Sequence, residues 1–310
     1  MAGRTFVKPP KRITWRNIKR DRYLLLLILP VIAFFVIFHY YPMYGVVIAF
    51  KDFSISLGIM RSPWVGFRYF EQFFESIFFW RILRNTLLLS VYGLLWGFPI
   101  PIIFALILNE FTGKFKRFVQ SVSYLPHFIS IVVVAGIMVN ILSPQNGLVN
   151  NIIEHMGGQS INFLGDPRYF RTVFITSAIW QGFGWNSIIY LAAMTGIDPG
   201  LYEASIVDGA NRFQQMRHIT LPGIRNTIMI LLILSIGNLM NVGFERVLLL
   251  YSPRTFETAD VISTYVYRAG LLSWQYSFAA AVGLFNSIIS VVLLVSCNKL
   301  SKRISEVSIW

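Results

Sequence analysis

The chain has 310 residues, 55% apolar and only 13% charged, with a mean hydropathy of +0.60; soluble domains carry about 25% charged residues, so an ordinary water-soluble fold and a disordered chain are both excluded. The net charge of +13 is concentrated, with eight Lys/Arg (Arg4, Lys8, Lys11, Arg12, Arg16, Lys19, Arg20 and Arg22) in the first 22 residues beside a long apolar run, a placement that suits anionic lipid and membrane orientation and not nucleic acid. A single cysteine, Cys297, excludes an internal disulfide framework and a cysteine-rich metal site.

A transmembrane helix needs about 20 largely apolar residues. After the basic cytoplasmic arm of residues 1–22, six stretches meet this without an Asp, Glu, Lys or Arg: 23–41, 85–108, 119–142, 173–197, 226–244 and 269–298. The last exceeds one span, so its helix is placed at 277–298. No small-residue cleavage site follows the first stretch, where Phe38-His39-Tyr40-Tyr41-Pro42 is bulky, so this stretch is expected to be a span and not a signal peptide.

With the N-terminus inside, 17 Lys/Arg fall on the inner side and 10 on the outer side. This bias predicts cytoplasmic termini. The expectation is an all-α integral membrane protein with six transmembrane helices in 23–298 and a cytoplasmic tail at 299–310. The first outer loop, 42–84, is crowded with aromatic residues: Trp64, Phe67, Tyr69, Phe70, Phe73, Phe74, Phe78, Phe79 and Trp80. The first reading of these is an interfacial belt, the second a docking surface for an extracytoplasmic partner. No internal repeat or low-complexity segment is apparent.

Hydrolytic chemistry has no visible residues. The Gly-Lys pair at Gly113-Lys114 is followed by Phe115, with Leu108 where a phosphate-binding loop needs its first glycine. His39, His127, His155 and His218 are isolated and lack metal-ligand spacing. No Gly-x-Ser-x-Gly elbow occurs. Nor do the six apolar stretches carry the buried ionisable residues of a proton-coupled carrier. Energy for uphill movement would then enter from outside the membrane core.

Residues 198–222 are the most informative segment. Asp198-Pro199 is a helix start, with a capping side chain and proline at the first helical position. Asp208-Gly209 is a turn signal, and the stretch from Ala210 to Ile219 restarts a helix that ends near Pro222. Phe213, Met216 and Ile219 recur at i, i+3 and i+6, a stripe that must pack on this protein or on a partner.

Glu203-Ala204-Ser205, Gly209 and Ile219-x-Leu221-Pro222 fit the pattern Glu-Ala-Ala-x3-Gly-x9-Ile-x-Leu-Pro at every spacing, with Ser205 replacing the third alanine and Met216 standing where an aromatic is common. The chain thereby resembles permease subunits of ATP-binding-cassette importers, which implies the MetI-like permease fold. In that family the loop is the coupling helix seated in a groove of the ATPase. The resemblance assigns Glu203 to the ATPase contact and Gly209 to the bend, flanked by Asp208 and Ala210. A purely structural cytoplasmic hairpin is the alternative.

Further stretches resemble the carbohydrate-importer branch, most closely the first permease of polysaccharide or oligosaccharide systems such as those for alginate and pectin fragments. They are Tyr41-Pro42-Met43-Tyr44-Gly45, Ala49-Phe50-Lys51-Asp52-Phe53, Trp64-Val65-Gly66-Phe67, Asn85-Thr86, Glu257-Thr258-Ala259-Asp260 and Tyr276-Ser277-Phe278-Ala279-Ala280. The resemblance implies a multi-pass subunit of the bacterial inner membrane. Its partners would be a second permease, two ATPases carrying ATP and Mg²⁺, and an extracytoplasmic solute-binding protein, with no cofactor in this chain.

A saccharide path needs aromatic faces for C–H surfaces and amides or hydroxyls for ring hydroxyls. Gln181 and Trp185, beside Gly182, Asn186 and Tyr190, form such a grouping in the fourth stretch; Ser235, Asn238 and Asn241 or Val242 lead towards Glu245 in the fifth. Interhelical hydrogen bonding is the competing role for these amides. Unrelated alternatives are a membrane enzyme acting on lipid-linked sugars, a permease for a non-sugar solute, and a receptor whose loop binds a regulator.

Overall fold

The computed structural model describes residues 22–305. The basic arm assigned to 1–22 therefore lies, apart from Arg22, outside the described residues, as does the end of the 299–310 tail. Among the described residues the fold is helical, with no strand and one isolated bridge, between Lys51 and Trp64.

Helix α1 (Arg22–Phe50) is long and apolar, yet none of its apolar window is buried within this chain. It joins the bundle at its far end, where Ala49 packs against Phe70 and Ala281. Short α2 (Arg68–Phe74) precedes α3 (Phe79–Glu110), which runs on past Pro99 and Pro101. The aromatic loop is not purely a belt. Phe70, Phe73 and Phe79 enter the core, whereas Trp64, Phe67, Phe74 and Trp80 stay exposed.

The third apolar stretch is not one helix. Amphipathic α4 (Gly113–Tyr124) and α5 (Ile131–Ile141) meet at a 100° bend. Pro126 lies in the single 3-10 turn between them, and Ser130 then caps α5 by accepting from the Val133 amide at 3.4 Å. Leu125, before the proline, keeps helical angles; the chain turns at Ile129 and Ser130, both extended, with ψ of 131° and 147°.

Helix α6 (Leu148–His155) leads to α7 (Pro167–Met194), 28 residues opened by Asp166, whose side chain accepts from the Arg168 amide at 2.9 Å. At 1.5 Å per residue α7 is about 42 Å long. It sits centrally, packed by α3, by α4 and α5, and by the two helices that follow the hairpin. Gly184 permits the contact with α4, since a Cβ there would stand 2.1 Å from the Ser123 carbonyl oxygen.

Beyond α7 come α8 (Pro199–Val207), α9 (Arg212–Gly223) and α10 (Arg225–Gly237), with a 62° bend between the last two. The fifth stretch is broken as well: α10 stops at Gly237, residues 238–243 are non-helical, and α11 (Phe244–Leu250) follows. The chain closes with α12 (Ile262–Tyr267) and α13 (Tyr276–Ser305), the latter agreeing with the helix placed at 277–298. By length and hydropathy α1, α3 and α13 each suffice to cross a bilayer, and the two bent pairs raise this to five. The remaining long helix, α7, carries Ser177, buried, Gln181, half-buried among its neighbours, and Asn186, exposed.

Besides the cluster at Ala49, three apolar clusters fill the bundle among the described residues. One joins Leu89, Phe170, Phe174 and Val247; a second joins Phe73, Ile82, Met240 and Phe278; the third, at the hairpin end, joins Ile102, Tyr190, Met194 and Ile224. At the opposite end of α7 a polar hub fixes the loops. Asn85 Nδ2 donates to the carbonyls of Glu257 and Asp260 at 2.9 and 3.1 Å, and Thr86 Oγ1 accepts from the Ile262 amide at 3.0 Å. The fully buried Asp260 carboxylate accepts both Arg268 terminal nitrogens at 2.8 and 2.6 Å, with Arg81 3.6 Å away.

Candidate functional site

The hairpin of α8 and α9 begins as its local chemistry requires. Asp198 accepts from the Gly200 amide at 2.9 Å, with Pro199 at the first helical position. The turn satisfies the last carbonyls of α8: Gly209 N–H donates to Ile206 O at 3.0 Å and Ala210 N–H to Ser205 O at 2.9 Å. That paired closure needs a left-handed residue, and Gly209 supplies it with φ of 79°. Asn211 and Gln214 then form a reciprocal capping box that starts α9.

Side-chain bonds tie the two arms together. Gln215 Nε2 donates to Ser205 Oγ at 2.9 Å, and the Tyr202 and Thr220 hydroxyls are 2.9 Å apart. Ser205, the departure from the third alanine, is thus a strut of the hairpin. The stripe expected from Phe213, Met216 and Ile219 is split. Met216 turns inward onto the cluster of Ile102, Tyr190, Met194 and Ile224, Ile219 is half-buried, and Phe213 remains 67% exposed. Phe213 lies in the first turn of α9, next to its Asn211 cap, whereas Met216 and Ile219 fall in the π turn at Met216–Thr220 that follows. The outward surface is instead Leu201, Glu203, Ala204, Ile206, Val207 and Phe213, with Asp208, Leu221 and Pro222 also exposed.

Above the hairpin, α3, α7, α10 and the 238–243 break line an open cavity of about 520 Å³. Unwound backbone inside a helical bundle is tolerated where it lines a cavity, because its polar groups can be satisfied there. Asn186, Tyr190, Ser235, Asn238 and Asn241 all line it, together with Ser90, Phe98 and Phe183. Four of the six pathway residues expected from the sequence are therefore brought together.

Gln181 and Trp185 do not line that cavity. Gln181 donates to the Ile129 carbonyl at 2.8 Å and accepts from Arg246 at 2.5 Å; Trp185 stacks on His127 with centroids 4.5 Å apart. Both brace α7 against the α4–α5 elbow. Glu245, where the fifth stretch was expected to lead, points outward, and the next residue, Arg246, is buried among the cavity-lining residues. Arg246 escapes the pattern of charge-free stretches because it lies just beyond the fifth one, although a basic residue between Val242 and Leu250 is a visible interruption of an apolar run.

Residues 97–306 match the family described as the binding-protein-dependent transport system inner membrane component. The chain belongs to this family. The permease is 44% identical to the protein LplB of Bacillus subtilis (strain 168), covering 96% of this chain and 94% of that one. It is also 44% identical to the polygalacturonan/rhamnogalacturonan transport system permease YteP of the same organism, covering 98% and 95%. A crystallised bacterial ABC transporter for import of the acidic polysaccharide alginate contains a chain that superimposes with a TM-score of 0.87 at 47% identity, covering 94% of the permease and 99% of that chain. The same degree of likeness, a TM-score of 0.88 at 46% identity, holds for that transporter in complex with its alginate pentasaccharide-bound periplasmic protein.

Proposed function

We propose that the permease forms one half of the translocation pathway of an ATP-driven, binding-protein-dependent importer of oligo- or polysaccharide. A second permease completes the path, two ATPases bind ATP and Mg²⁺, and an extracytoplasmic binding protein delivers the sugar. Both termini and the α8–α9 hairpin face the cytoplasm of the bacterial cell. The observation that carries this reading is the hairpin itself: a rigid, internally bonded projection that leaves Glu203, Ile206, Val207 and Phe213 uncovered. Such a surface transmits force to the bundle because Met216 and Ile224 anchor it beneath the cavity. The saccharide class rests on the full-length relatives, on the cavity's size and on its amides and aromatic rings.

Two conformations of the bundle, alternately closed at either end, would move the guest, with ATPase closure acting through the hairpin. The test is co-purification from native membranes, followed by reconstitution in vesicles. Hydrolysis stimulated by a saccharide-loaded binding protein, with uptake of that saccharide, is the expected result. Turnover of a lipid-linked sugar by the isolated chain would replace this reading with the membrane-enzyme alternative.

A further inference from the structure

Arg246 is the one charged side chain lining the cavity among the described residues. Only 9% of it is exposed, and its terminal nitrogens donate to Ser177 Oγ at 3.0 Å and Gln181 Oε1 at 2.5 Å. Both acceptors are neutral, and among the described residues no carboxylate forms an ion pair with it, in contrast to Arg268 and Arg81, which share Asp260. A buried charge without a counter-charge is costly, so such groups pair or meet a charged guest. A guanidinium offers five donors in a rigid fork, more than Ser177 and Gln181 consume, and that fork matches a carboxylate edge.

We propose that Arg246 reads the carboxylate of a uronic-acid unit as the saccharide passes through the cavity, making the permease selective for acidic over neutral chains of equal length. The inference rests on the cavity being the saccharide path, as proposed above. Relatives at 44–47% identity include a polygalacturonan/rhamnogalacturonan permease and a chain of an alginate transporter, whereas one at 27% identity serves arabinooligosaccharides, which lack carboxylates; none of these names says which residue reads the charge. The neighbouring Asn186, Asn238 and Asn241 are uncharged and serve ring hydroxyls equally well in either case. The charge of the guest is set by Arg246 alone.

The experiment is direct binding to the purified transporter complex without its binding protein, whose own selectivity would mask the effect. The probes are trigalacturonate and the same trisaccharide with its carboxyl groups reduced to alcohols. Wild-type complex is expected to prefer trigalacturonate at least about tenfold, equivalent to about 1.4 kcal/mol, with the preference falling as salt rises. Arg246→Gln should abolish the preference by weakening the acid alone, and Arg246→Lys should retain part of it. Equal binding of both probes by wild type, or equal loss of both in Arg246→Gln, would overturn the proposal and leave Arg246 a strut between α11 and α7. Binding of the reduced probe alone would sink the carboxylate role while sparing the saccharide path. Binding of neither would remove the path itself. The wild-type comparison stands even if a variant fails to assemble.

Discussion

Gly209 and Gly184 are required for different physical reasons. Gly209 has open space where a side chain would go, and its constraint is conformational, since φ of 79° penalises any Cβ and most of all a β-branched one. Gly209→Val should cost about 1–2 kcal/mol at the hairpin while leaving the bundle inserted. The expected outcome is normal membrane abundance with co-purified ATPase lost or hydrolysis uncoupled from uptake; full coupling would refute the role of the bend. At Gly184 the constraint is contact, with the Ser123 carbonyl 2.1 Å from a would-be Cβ. Gly184→Leu should push α4 from α7 and lower the melting temperature of the purified complex, whereas Gly182→Ala, facing only the Asn186 amide at 3.3 Å, should change it little.

At the scale of elements, the hairpin separates the residues that hold it from those it presents. Where Glu203 meets the ATPase as proposed, removing it deletes a charge-assisted contact, about 1.5–3 kcal/mol when partly buried against a partner. Glu203→Ala and Phe213→Asp should each reduce ATPase co-purification by tenfold or more without altering permease abundance. Met216→Ala, which opens the inner cluster, should instead lower abundance or thermal stability. The opposite assignment of these variants would show that Phe213 packs within the permease and Met216 does not. Asn238 and Asn241 line the cavity together with Ser235, the shared side that their i, i+3 spacing gives, although the helix itself stops at Gly237.

For the whole molecule, the hub at Asp260 joins loops far apart in sequence to α3 and α7. Arg171 donates to Asn85 Oδ1 at 3.2 Å, Thr258 Oγ1 to the Pro167 carbonyl at 2.7 Å, and Asn85 to the 257–260 backbone. Asp260→Ala strips the carboxylate from Arg268 and Arg81 together. Breaking a buried pair by removing one partner costs about 3–5 kcal/mol, so this variant should accumulate poorly or melt well below wild type. Retention of the wild-type melting temperature would show that solvent already screens the two arginines. Topology is checked by reporter fusions: those after Lys114 and Phe213 should read cytoplasmic and one after Gly157 external, and a cytoplasmic reading at Gly157 would overturn the assigned orientation.

The features legible in the chain itself are those whose signals are local. Six apolar runs, the Asp198-Pro199 helix start, the positive-φ turn at Gly209 and the spaced pattern from Glu203 to Pro222 each depend on a few adjacent side chains and their backbone preferences. Tertiary structure decided what each run meets. Pro126 sits inside an apolar run that hydropathy alone reads as one span, and only packing against α7 turns the break into a 100° elbow. Trp185 and Gln181 look like a sugar surface in sequence, whereas in the fold Trp185 gives one ring face to His127 while staying 40% exposed, and Gln181 bonds to Ile129. The short motifs at Asn85-Thr86 and at 257–260 prove to be two sides of one contact, as do Phe53 and Ser277, joined at 2.9 Å. Arg246 shows the limit most clearly: a charge at the edge of an apolar run is ordinary in sequence, and it becomes a cavity group only because the preceding six residues unwind and aim α11 at Ser177. Periodicity records which way a residue faces along its own helix, whereas burial depends on which other helix arrives there.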